Sequence, residues 1–181
     1  TSNTLGANQL SFTLFYPDAS YEVTLPITRH VPRPDNRWRA LYTALVNGPK
    51  SELGLYETAP VIPYAPNIRL GQNKAFVYMY RTNLVDFESR FPLALESITR
   101  TFMTLGPLDG VQFLVDDVSN QTIYGADLTG AYTYSLNNQV YLVYSKDSDY
   151  MLFYPVPLTD QALESKLTEA YRSEEHTSEL Q

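Results

Sequence analysis

The side chains able to do chemistry in this 181-residue chain are few and dispersed. His30 stands beside Arg29 at the end of an apolar run. A metal centre or a catalytic triad needs converging imidazole, thiol or carboxylate groups, so a hydrogen-bonded loop histidine is the plain reading. Asp116-Asp117 is an adjacent acidic pair. Two carboxylates could serve acid–base catalysis or calcium, but neighbours on a strand point to opposite faces. A turn with two solvated carboxylates is the simpler reading. Lys146, Asp147 and Asp149 form a charged hairpin tip, most simply a soluble loop. The glycines around Gly71 and from Gly125 to Gly130 lack phosphate-loop spacing. No G-x-S-x-G element supplies a hydrolase nucleophile. Tyr78, Tyr80, Tyr132, Tyr134, Tyr141 and Tyr144 suggest a groove whose rings stack on glycan or peptide. The competing reading is core packing with hydroxyls at the rim. The residues name no catalytic group, no cofactor site and no metal ligand, and the expectation is a protein that is not an enzyme.

Composition narrows the classes. Cysteine is absent, which excludes disulfides, thiolate metal sites and a Cys nucleophile. That suits work outside the reducing cytosol, although a cytosolic chain can also lack Cys. The formal charge of −7 argues against nucleic acid, whose phosphates need clustered Lys and Arg. A hydrophobic fraction of 44% is enough for a packed core, and no apolar run is long enough to cross a membrane. The chain opens on a polar lead, residues 1–9, with no initiating Met and no charged-then-apolar leader. The expectation is a piece of a longer precursor. Residues 172–181, RSEEHTSELQ, resemble the in-frame translation of a common sequencing-library adapter. A genuine acidic tail is the alternative. Without them the charge is −5 and His30 is the sole histidine.

The elements that must position these groups come in a repeated order. Residues 11–16 and 21–28 alternate apolar and polar around a polar corner, Pro17-Asp18-Ala19-Ser20, and predict two adjacent strands. Pro26 makes the second an edge strand or a bulged one. Asp35 or Asn36 can cap a helix whose stripe is Trp38, Leu41, Tyr42 and Leu45, with Trp38 as core anchor; Asn47-Gly48-Pro49 stops it. Residues 50–65 read as loop. Residues 67–70 and 74–80 form a hairpin around Gly71-Gln72-Asn73, the second strand apolar on both faces and therefore central. Residues 92–105 predict a second helix with the stripe Phe91, Leu95, Ile98, Phe102 and Leu105, ended by Gly106-Pro107. Residues 110–116 predict a closing strand with Val111, Phe113 and Val115 on one face. The predicted fold is α+β: a mixed β-sheet with two helices on one face, in the order β-β-α-β-β-α-β.

The plan then begins again. Tyr16 matches Tyr144 and Pro26 matches Pro155, offsets of 128 and 129 residues. Residues 138–171 show strand, strand, Pro and a helical pattern on Leu163, Leu167 and Ala170. They are expected either to pack as a partial sheet on the first unit or to be poorly ordered.

Ala40-Leu41, Leu45 and Gly48-Pro49 together resemble a helix end of the GerMN domain family. Ile62-Pro63 before the strand–turn–strand, the helix block Ser97-Ile98-Thr99-Arg100-Thr101-Phe102 and the strand Val111 to Asp116 are similar to its later blocks. The family's closing V-D-G is Val115-Asp116-Asp117 here, so Asp117 stands where a glycine makes the turn. The resemblance places a GerMN-like domain at 10–117, a linker at 118–137 with a short strand near 121–124, and the truncated start of a second repeat at 138–171. It implies GerM-like lipoproteins of sporulation and spore germination: extracytoplasmic, tethered by a lipid or a single N-terminal span, and serving assembly rather than catalysis. It further implies envelope or membrane-complex proteins as partners, self-association as a possibility, no nucleic acid and no cofactor. A domain binding cell-wall glycan or peptide is the alternative, and a cell-wall-acting enzyme a more distant one.

Overall fold

The computed structural model describes residues 9–50, 53–55, 68–135, 139–144 and 152–157. Two long strands open it. β1, Gln9–Pro17, and β2, Thr24–Pro32, pair antiparallel in unbroken register from Gln9↔Pro32 to Pro17↔Thr24. Phe12, Leu14 and Tyr16 alternate onto one face and are buried, as period-2 patterning requires. Pro26 pairs with Phe15 without a bulge.

β2 starts at Thr24 rather than at Tyr21, because the corner is larger than its polar residues suggest. Asp18 is 1% exposed and organises it. Its carboxylate accepts from the backbone N–H of Glu22 at 2.9 Å and of Val23 at 3.2 Å, and from the Ser20 hydroxyl. Tyr21 takes a left-handed φ of 57°, and local carboxylate bonding of this kind favours a turn over a ladder.

α1, Arg37–Val46, is capped by Asn36, whose side chain accepts from the Arg39 N–H at 3.0 Å. It buries Leu41, Tyr42, Ala44 and Leu45. Trp38 is half-buried, with its ring edge-on to Phe102 at 5.5 Å. The helix end is tied to the first strand pair: the Tyr16 hydroxyl donates to the Ala44 carbonyl at 2.7 Å, and Arg29 donates to the Gly48 carbonyl at 2.6 Å.

β3, Ile68–Gly71, β4, Lys74–Met79, and β5, Gly110–Val115, form a mixed sheet in the order β3-β4-β5. β3–β4 is antiparallel and β4–β5 parallel, so β4 is central. Ala75, Val77, Met79, Val111, Phe113 and Val115 are buried on one face. In the tight β3–β4 turn the left-handed residues are Gln72 and Asn73, while Gly71 belongs to the strand. Gly110 is a glycine for another reason: a Cβ there would lie 2.8 Å from the Tyr132 carbonyl.

α2, Phe91–Met103, has Pro92 in its first turn and follows two short 3-10 turns, Arg81–Asn83 and Val85–Phe87. It packs on β1, α1 and β5, burying the expected Phe91, Leu95, Ile98 and Phe102 together with Ser97, Thr99 and Thr101. The expected single mixed sheet is divided into separate ladders, and those hydroxyls occupy the edge at which β1 would have continued it. The outer edge of β1 meets α2 side chains: Phe15 N–H donates to Thr101 Oγ1 at 2.9 Å, Ser97 Oγ donates to the Phe15 carbonyl, and Thr104 Oγ1 donates to the Thr13 carbonyl at 3.3 Å.

Residues 118–135, expected as linker, pack on this core. β6, Thr122–Ile123, and β7, Ala126–Asp127, make a small hairpin where one short strand was expected, and Ile123, Ala126 and Leu128 are buried. Tyr132 exchanges both backbone hydrogen bonds with Val111, each 2.8 Å. β8, Gln139–Tyr144, and β9, Leu152–Pro157, pair antiparallel, and β9 lies beside β2 with Leu152 and Val156 buried. This ribbon packs on the first unit, one of the two outcomes expected for 138–171. The helical pattern of 161–171, the tip at 145–151, Ile62-Pro63 and the tail 172–181 lie outside the described residues.

Candidate functional site

The residues singled out for chemistry are placed apart. His30 is exposed opposite Ser11, with Ser11 Oγ and His30 Nδ1 2.9 Å apart. Asp116 and Asp117 are exposed in the turn joining Val115 to Val118, both left-handed at φ 52° and 63°. Asp116 Oδ1 accepts from the Arg81 N–H at 3.2 Å, and its other oxygen lies 3.9 Å from the Arg81 guanidinium. Gln121 closes the same turn, its Nε2 donating to the Val115 and Val118 carbonyls at 2.8 Å each. These groups hold a turn. Among the described residues no three His, Asp or Glu side chains are grouped to hold a metal.

The six tyrosines do not share one groove. Tyr78 lies under Arg69, with the guanidinium 5.1 Å from the ring centroid, and Tyr80 follows the end of β4. Tyr141 is exposed on β8, and the side chain of Tyr144 lies outside the described residues. Tyr132 and Tyr134 alone among the described ones line a common cleft, facing α2.

That cleft, of about 230 Å³, is lined by Pro92, Glu96, Thr99 and Arg100 from α2 and by the segment Tyr132 to Tyr134. Helical spacing puts Glu96 and Arg100 one turn apart, and Arg100 Nη2 lies 2.9 Å from Glu96 Oε1. The same Glu96 oxygen accepts from Thr24 Oγ1 at 3.2 Å. The Arg100 guanidinium rests over the Tyr134 ring at 4.7 Å and near the Phe15 ring at 5.9 Å. Tyr134 meets Phe15 edge-on at 5.7 Å. Burial is the main cause pushing the Tyr134 phenol above its ordinary pKa, with the Gln139 bond and Arg100 opposing it. Burial likewise raises Tyr132, helped by Asp127. Both hydroxyls are neutral at physiological pH. Two buried polar atoms, Thr99 Oγ1 and Arg100 Nη1, have no hydrogen-bond partner among the described residues.

A second feature is apolar. One face of the β8–β9 ribbon turns outward with Tyr141, Val143 and Phe153 at 58%, 59% and 47% exposure. Val143 pairs directly with Phe153 and Tyr141 is two residues along, so the three side chains are neighbours.

Sequence reading missed Thr99 and Arg100 as site residues and Asp18, Ser97 and Thr101 as organising ones. The available signal was the interleaving of hydroxyls through the α2 stripe, Ser97, Thr99, Thr101 and Thr104.

No family model and no curated protein matches the chain. Among solved structures it is similar to the tandem GerMN domains of the sporulation protein GerM from Bacillus subtilis, at a TM-score of 0.53 and 14% sequence identity. The likeness covers 81% of this chain, which spans 59% of that one. Likeness at this identity is likeness of fold, and the fold is GerMN-like α+β. No helix among the described residues is long and apolar enough to cross a membrane.

Proposed function

We propose that this protein is a non-catalytic interaction and scaffold module working outside the cytoplasm of a bacterium, in an envelope or sporulation assembly. Residues 10–117 form its GerMN-like domain, onto which residues 118–135 pack, and 138–171 are the start of a second repeat. The natural precursor carries a membrane anchor, and the partners are envelope or membrane-complex proteins, with self-association through the same surface.

The observation that carries this reading is the outward face of the β8–β9 ribbon. Three large apolar side chains side by side in water are a cost that partner burial removes. The GerMN-like fold, known in tandem in the similar structure, supports an assembly role. The dispersal of His30, Asp116 and Asp117 supports a non-catalytic one.

A photo-crosslinking residue at position 143, introduced in the bacterium that carries the gene, tests it. Crosslinks to a defined envelope protein or to a second copy, absent from the same residue at position 117, are expected. Equal labelling at both positions, or recovery of the protein from the cytoplasmic fraction, refutes the reading.

A further inference from the structure

We infer that the end of the molecule formed by residues 29–39 docks on an anionic phospholipid surface. Four of the nine arginines of the chain, Arg29, Arg33, Arg37 and Arg39, fall in this stretch beside one carboxylate, Asp35. The stretch carries +3, which leaves −10 on the rest of the chain. The fold keeps this charge together and in water. Arg29 from β2 and Arg39 from α1 line one open cleft of about 520 Å³, with Val31, Pro34 and Ala40 as apolar lining and Asp35 beside them. Arg33, Arg37 and Arg39 are exposed. Among the described residues the ion pairs are Arg81–Asp116 and Arg100–Glu96, so no carboxylate, Asp35 included, neutralises the four arginines. Arg37 and Arg39 also occupy the first turn of α1, which holds no acidic residue. The positive end of a helix disfavours cations, so the stability of α1 does not account for them.

The charge distribution selects a planar partner. The β1–β2 ribbon is nine residues long, about 27 Å. Its far end is acidic, with exposed Glu22 in the corner and exposed Asp86 beside Tyr21. Screening limits charge effects to about 8 Å at physiological ionic strength. A bilayer touching the arginine end therefore does not feel those carboxylates, whereas a long flexible polyanion would run on into the acidic remainder. Arginine forks hold phosphate oxygens in two-pronged hydrogen bonds, and clustered basic residues near an anionic leaflet each add to binding. Contact at this end turns the acidic bulk of the protein away from the membrane. The surface is separate from the outward β8–β9 face, so it stands or falls independently of the scaffold reading.

Co-sedimentation of the whole chain with vesicles tests this, phosphatidylglycerol mixed with phosphatidylcholine being compared with phosphatidylcholine alone. Binding to the mixed vesicles that weakens with added salt, and none to the neutral ones, is expected. Arg33→Gln and Arg37→Gln should each weaken it about fivefold, and the double variant should lose the product of the two. Thermal midpoints should stay level, or rise for Arg37→Gln, because the change relieves the first turn of α1. Arg69→Gln removes the same charge from exposed Arg69 on β3 and should leave binding nearly unchanged. Failure to bind the mixed vesicles, equal binding to neutral ones, or an equal loss in Arg69→Gln overturns the inference. So does tighter binding to a single-stranded oligonucleotide than to the vesicles, or release from them by millimolar inorganic phosphate at matched ionic strength, which would mark a site for a polymer or a free anion instead.

Discussion

The Ser97 hydroxyl of α2 donates to the carbonyl of Phe15 on β1, eighty-two residues earlier in the chain. Thr101, one turn along, takes the Phe15 N–H at 2.9 Å. A strand edge normally exposes such groups to any passing strand. Here a helix satisfies them with side chains, closing the edge and holding helix and strand in register.

Removing either hydroxyl leaves a buried backbone group without its partner. Ser97→Ala and Thr101→Val are each expected to cost about 2 kcal/mol, a fall of about 4–8 °C in thermal midpoint for a chain of this size. Because both act on Phe15, the double variant should lose less than the two single losses together. Denaturant unfolding of the three variants checks this; strict additivity would show that the two bonds act independently.

Asp18 carries the first corner. Asp18→Ala strips the Glu22 and Val23 N–H groups of their acceptor and should destabilise by about 2–3 kcal/mol. Asp18→Asn keeps an acceptor oxygen at the same place and should cost less than half as much. Equal losses in the two variants would show that charge, and not the acceptor, matters there.

The turn after β5 carries two left-handed aspartates with different duties. Asp117 has φ 63°, a conformation that glycine adopts without strain. Asp117→Gly is expected to raise stability by about 0.5 kcal/mol, the remaining strain relief being offset by greater freedom of the unfolded chain. Asp116→Gly should not stabilise, since it also removes the acceptor of the Arg81 N–H and the ion pair. A thermal melt of each variant decides.

Tyr16 is fully buried, and desolvation pushes its phenol up to about 12 against the nearby Arg29 charge. Burial raises Tyr42 as well. A folded-state pKa above the unfolded 10.0 means that the neutral phenol favours the fold. The stabilisation is complete below pH 10.0 and is lost as pH rises toward about 12. Stability should therefore be flat through neutral pH with respect to these groups and fall steeply in alkali. Tyr16→Phe should flatten part of that fall and cost about 1 kcal/mol at neutral pH through the orphaned Ala44 carbonyl. A spectrophotometric tyrosine titration alongside alkaline unfolding checks both; an unaltered alkaline limb in the variant would refute the assignment to Tyr16.

Much of the fold was legible because its signals are local. The stripe of α1, a cap at Asp35 or Asn36, the two-faced apolar pattern of β4 and the Asp116-Asp117 turn each follow from a few neighbouring residues, and the structure selects Asn36. The same reasoning overextended β2 at its start, since nothing local says that the Asp18 side chain turns inward and consumes three more residues. It also gave residues 118–135 the look of a linker, because short polar-flanked strands carry little periodicity; Ile123, Ala126 and Leu128 are recognisable as core only beside the sheet they cover.

What this sequence determines by itself is the order of its elements and their α+β class, because periodicity, capping and turn chemistry act over a few residues. Its carboxylates and His30 form no recognisable catalytic motif in type or spacing. The tertiary structure alone decides that α2 hydroxyls seal the β1 edge, that Arg100 Nη1 is buried without a hydrogen-bond partner among the described residues, and that the β8–β9 ribbon turns Tyr141, Val143 and Phe153 outward. Each of those depends on contacts between residues tens of positions apart, where the direction of a side chain is set by packing and no local pattern carries it.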